Sequence, residues 1–148
     1  MRILGWYTTC MNTARSTGYR ELEHTADWEI EVWAPDLPAL LNQAAYAMYA
    51  LTGTKLKDSP RITREIAVQA EDAESLLVGF LSELLYHAET DSIGFDEFEL
   101  DLENHALRGR LGGAPVESQT KEIKAVTYHN LEIRRTERGL EANIVFDV

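Results

Sequence analysis

The chain has 148 residues, 45% of them hydrophobic, which is enough for one sizeable core and too few for two independent ones. Its 25 Asp and Glu against 14 Lys and Arg leave a formal charge of -11. That balance disfavours strong direct nucleic-acid binding through a broad basic face, and suits a basic protein partner or carboxylates gathered around a cation.

Cys10 is the single cysteine, so neither an intrachain disulfide nor a cysteine-based zinc site is expected. No apolar run approaches the ~20 residues that span a bilayer. The start, Met1 to Tyr7, carries one positive charge and too short an apolar stretch for a signal peptide. A cytoplasmic setting without membrane contact is the expectation.

Residues 1–18, rich in Thr, Ser and small side chains, read as a flexible N-terminal arm ahead of one domain over 19–148. Ordered structure is expected from near Tyr19. Trp28, Ile30, Val32 and Ala34 alternate with Glu29, Glu31 and Trp33, the two-residue period of a half-buried strand. Pro35 stops it. Asp36 then caps a helix that tolerates Pro38 in its first turn. Leu37, Leu40, Leu41, Ala44, Met48 and Leu51 form its apolar stripe, and Gly53 closes it.

A second strand carries Ile62, Ile66, Val68 and Ala70 on one face. Asp72 caps a second helix with the stripe Leu76, Leu77, Phe80, Leu81, Leu84 and Leu85. From Ile93 the period returns to two, and Glu103-Asn104-His105 turns the chain into Leu107, Gly109 and Leu111, a β-hairpin. Gly112-Gly113-Ala114-Pro115 is expected to break the pattern and open a polar loop through Thr120. Residues 121–127 fit either a short helix or an extended lead-in. Tyr128 to Arg135 reads as a strand, Glu137-Arg138-Gly139 as a turn, and Leu140, Ala142, Ile144, Phe146 and Val148 as one face of the last strand. The order predicts an α+β, two-layer domain with two helices on one face of a mostly antiparallel sheet.

Three stretches could carry chemistry. In His24-Thr25-Ala26-Asp27, an Asp at the start of an apolar strand needs either backbone donors or a cation. His24 beside it fits a hydrogen-bonded structural role as well as a functional one. At the far end, the Asp147 carboxylate adjoins the α-carboxylate of Val148. Two negative groups so close are most simply neutralised by a divalent ion, and oxygen-only ligands favour calcium, magnesium or manganese. Between them, Lys121 to Ile133 mixes donors (Lys124, Thr127, Tyr128 and His129) with aliphatic anchors. It fits a recognition surface or an amphipathic passage from loop to strand. Phosphate loops, nucleophile elbows and HExxH zinc motifs are missing.

Taken together, E-H-T-A-D at 23–27, K-A-V-T-Y-H at 124–129 and V-F-D-V at 145–148 resemble the archease family in order and spacing. The similarity runs from about Tyr19 to Val148. The resemblance implies a non-enzymatic accessory protein of tRNA splicing that activates a GTP-dependent RNA ligase, promoting its guanylylation and multiple turnover. It assigns Asp27 and Asp147, with oxygen from Val148, to one metal site and marks Lys124 as a functional residue; Tyr128, His129 and His24 are grouped with Lys124 as the candidate partner surface. Two readings from other classes compete. One is a small metal-dependent phosphohydrolase using the same two Asp residues; the other is a general chaperone or scaffold for RNA- or DNA-processing proteins.

Overall fold

In the computed structural model, residues 17–22 and 28–148 are described. His24, Asp27 and residues 1–16 of the expected arm lie outside them. The elements run β1 Gly18–Leu22, β2 Trp28–Ala34, α1 Leu37–Thr52, β3 Lys55–Leu56, β4 Ile62–Gln69 and α2 Ala73–Asp91. They continue with β5 Ile93–Glu103, β6 Ala106–Ser118, β7 Ala125–Thr127, β8 Arg134–Thr136 and β9 Gly139–Asp147.

The helices start and stop where local chemistry requires. The Asp36 carboxylate accepts the Ala39 N–H at 3.0 Å, and that of Asp72 accepts the Ser75 N–H at 2.7 Å, each satisfying an orphan donor of the first turn. Gly53 ends α1 in the left-handed region at φ 65, where a residue without Cβ is unstrained. The apolar stripes face inward: Leu41, Met48, Leu77, Phe80 and Leu84 are all at most 1% exposed. Burying one such side chain contributes roughly 1.5–3 kcal/mol.

The α+β class and the antiparallel pairing hold, but the strands divide into two sheets where one was expected. In the first, β1, β2, β9 and β7 are neighbours in that order, and β8 also pairs with β9. In the second, β4 and β5 both pair with β6, and β3 joins the far end of β6. Each helix touches both sheets, α1 through β1, β2, β9 and β5, and α2 through β4, β5, β6 and β7. One core therefore draws Ile30, Val32, Ile144 and Phe146 from the first sheet, and Phe95, Leu107 and Leu111 from the second.

The turns at Asn104 (φ 56) and Gly139 (φ 100) form as expected. The loop expected from Gly112 does not: β6 continues to Ser118. A bulge in β5 between Phe95 and Glu97 sets Gly113 against Phe95, and a Cβ on Gly113 would stand 1.9 Å from the Gly94 carbonyl oxygen. The glycines here permit two backbones to approach, so they do not mark a turn. The bulge is pinned from three sides. Tyr46 Oη donates to the Asp96 carbonyl at 3.3 Å, Tyr49 Oη accepts the Phe95 N–H at 3.2 Å, and the Arg61 guanidinium binds Asp96 and Glu97.

The strand expected over Tyr128–Arg135 also fails in its first half. Asn130 turns with φ 53, the Leu131 N–H donates to the Tyr128 carbonyl, and only Arg134–Thr136 pairs.

Candidate functional site

The site is built on β9, which lies between β2 and β7. On one side Trp28 pairs with Phe146 and Glu29 with Val145; on the other Ala125 pairs with Asp147 and Thr127 with Val145. The Lys124 N–H extends that ladder, donating to the Asp147 carbonyl at 2.7 Å. Alternation along the strand sends Phe146 and Val148 toward the core and leaves Asp147 exposed on the opposite face. Among the described residues no cation pairs with the Asp147 carboxylate, and no three His, Cys, Asp or Glu side chains gather into a metal-ligating group. An uncommitted hard oxygen donor fits a calcium-, magnesium- or manganese-type ion, provided other ligands join it.

Of the residues singled out from the sequence, the structure brings Asp147, Val148 and the Lys124 main chain together. The Lys124 side chain diverges, lining a cleft on the helix side of the sheet. Tyr128 and His129 are not part of the group. β7 runs antiparallel to β9, so the chain beyond Thr127 moves away from Asp147. Both are exposed, with the His129 N–H on Thr127 Oγ1 at 3.2 Å and its Nε2 3.2 Å from Asn130 Nδ2.

Several features escaped sequence reasoning. Lys121 Nζ lies 3.5 Å from the centroid of the Trp28 ring, a cation–π contact beside the strand end. The segment that carries it is fastened to the end of α1: the Thr52 carbonyl accepts from the Thr120 N–H, the Thr120 hydroxyl and the Lys121 N–H. This segment roofs the cleft, of about 350 Å³, between the C-terminal turns of α1 and α2.

The outer face of the first sheet holds a polar network centred on Glu141. Its carboxylate accepts from Arg138 at 2.6 and 3.1 Å and from the Thr136 hydroxyl, with Arg134 within 4.0 Å. The Arg138 and Thr136 hydrogen bonds hold the Glu141 carboxyl down at about 2. Asn143 Nδ2 carries the network on to Glu29 at 2.7 Å. The signal for it was Arg134 and Arg138 ahead of the Gly139 turn, with Arg138 three residues from a Glu in an otherwise apolar strand.

Among the described residues these features define a class: a small acidic domain of two helices and two sheets whose last strand ends on an exposed carboxylate. Residues 19–148 match the Archease protein family (MTH1598/TM1083), and the chain belongs to that family. The protein archease of Methanosarcina barkeri is 38% identical over 142 residues, covering 88% of this chain and 95% of that one. The solution structure of Methanobacterium thermoautotrophicum protein 1598 superposes with a TM-score of 0.66 at 25% identity, covering 88% and 99%. The crystal structure of a Thermotoga maritima archease, described as a possible chaperone, gives 0.67 at 23% identity, covering 86% and 94%. Among the described residues no helix is long and apolar enough to cross a membrane.

Proposed function

We propose that this protein is a cytoplasmic, metal-binding accessory protein that activates the GTP-dependent RNA ligase of tRNA splicing, promoting its guanylylation and repeated turnover. Family membership carries the reading. The strand register supports the metal part. Trp28, which follows Asp27 in the sequence, is paired with Phe146, which precedes Asp147. Asp27, Asp147 and an oxygen of Val148 would hold the ion. A bound divalent ion would supply charge neutralisation and positioning for phosphoryl transfer in the ligase. The residues do the holding: an exposed Asp147 at a sheet end is open to a partner's surface, and β7 fixes its main chain through Lys124 and Ala125.

The test is ligase turnover and guanylylation, with and without the protein, in calcium, magnesium or manganese. Activation by the wild type, abolished in Asp147→Ala, is the expected result. Unchanged turnover in every metal defeats the reading. Phosphoester hydrolysis by the protein and metal alone would favour a phosphohydrolase. The description of the Thermotoga maritima protein as a possible chaperone suggests the broader alternative; it requires a wide set of bound clients where the ligase reading requires one.

A further inference from the structure

The carboxylate site leaves the cleft between the helix ends without a role. Its floor is partly apolar, with Leu85, Ala88 and Val116 half-buried and Met48, Leu84 and Ile123 buried. Its walls carry Glu89 from α2 and Glu122 from the connection between β6 and β7. Both helices stop here, at the left-handed caps Gly53 and Ser92, and neither has a basic residue in its last turn. The last turn of α2 holds Glu89 and Asp91 instead, carboxylates at the negative end of a helix dipole.

Such a placement breaks a local rule with little to offset it. His87 Nδ1 lies 3.7 Å from Asp91 and helps only when protonated. Glu89 and Glu122 have no ion-pair partner among the described residues. Lys124 is the single cation on the lining, and its main chain is tied to the Asp147 end. Two carboxylates and two helix C-termini outweigh one ammonium, so the cleft repels anions. The lining does hold carboxylate, hydroxyl and amide oxygens, from Glu89, Glu122, Thr52, Ser92, Ser118 and Gln119, but a bare inorganic cation would leave its apolar side chains uncovered. What fits is a cationic head on an aliphatic stem.

We propose that this cleft seats an arginine or lysine side chain presented by a partner protein, with the stem on the apolar floor and the charged head between Glu89 and Glu122. The inference rests on the accessory-protein reading only for the partner's identity. A heteronuclear NMR titration with acetyl-Leu-Arg-Leu-amide, and with acetyl-Leu-Glu-Leu-amide as control, tests it. The arginine peptide should shift the amides of Ser92, Gln119 and Ile123 saturably, and the glutamate peptide should not. Glu89→Gln combined with Glu122→Gln, folded by circular dichroism, should bind the arginine peptide at least ~10-fold more weakly. Absence of saturable shifts, equal shifts from both peptides, or an unweakened double variant would each overturn it. Titrating ligase against the wild type in parallel separates the two ideas: no complex there refutes the ligase reading, while the peptide result alone judges the cleft.

Discussion

Replacing Glu141 by Gln removes one charge from a carboxylate that is 8% exposed and held by Arg138 and Thr136. Arg138 would keep Glu31 at 3.6 Å and its place over the Trp33 ring at 3.9 Å, so the loss is confined to Glu141's own bonds. The Glu141 carboxyl lies near 2 when folded against 4.5 in an unperturbed chain. A folded value below the unfolded one gives stability that is fully present above about pH 4.5 and disappears as the pH falls toward 2. Linkage alone would set its size at about 3 kcal/mol. Water on the outer face of the sheet screens the pair, which brings the expectation down to about 1–2 kcal/mol. Urea unfolding followed by circular dichroism at pH 7, 4, 3 and 2.5 reads it directly. The wild type should be the more stable at pH 7, with the gap narrowing below about 4.5 and cut to about a quarter by pH 2.5. An equal gap at every pH, or none at pH 7, would refute an ionised Glu141 as the centre of the network.

Phe80→Ala should destabilise by about 3–5 kcal/mol, because Phe80 is fully buried among helix and sheet side chains; a loss below ~1 kcal/mol in urea would mean the site collapses around the gap. Gly113→Ala forces a methyl into the Gly94 carbonyl and should cost about 3 kcal/mol, the upper range for overpacking, read as a lowered urea midpoint. Asp72→Ala removes the α2 cap and should lower stability by about 1 kcal/mol in the same assay. Asp147→Ala should leave the midpoint within about 0.5 kcal/mol, since Asp147 is exposed, while calorimetric titration with calcium or manganese loses its binding signal.

The helices were legible because their signals are local: Asp36 and Asp72 at the caps, Gly53 at the close, and leucines at three- and four-residue spacing. Strands with clean alternation, such as Trp28–Ala34 and the last one, were legible for the same reason. What misled was chemistry with two uses. The run Gly112-Gly113 has the composition of a turn, yet its role is set by a bulge on another strand, which no local pattern encodes. Likewise Ile133 and Leu131 look like strand residues, but Leu131 packs onto the core from a turn, and the Ile133 N–H is taken by the Glu74 carboxylate at 2.9 Å. The division into two sheets was invisible because alternation tells which face is buried and is silent on which strand lies alongside. At the site, Asp147 stood out as a carboxylate in apolar surroundings, whereas the opposite headings of the Lys124 and Asp147 side chains depend on a three-residue strand.

The strand that occupies the interior of the first sheet, β9, comes from residues 139–147. It meets β2 across more than a hundred residues: Asn143 reaches Glu29 at a separation of 114. The second sheet closes within residues 55–118, largely through one hairpin. Loop-closure entropy makes the distant pairing the slower one, so the second sheet with α2 should assemble first during synthesis. Until β9 emerges from the ribosome, β2 has only β1 beside it, and Ile30 and Val32 stand next to an open edge. That interval is when the chain is most exposed to wrong pairing with its neighbours. Glu29 and Glu31, set between those two apolar residues and the adjoining tryptophans, place negative charge on the strand that has longest to wait.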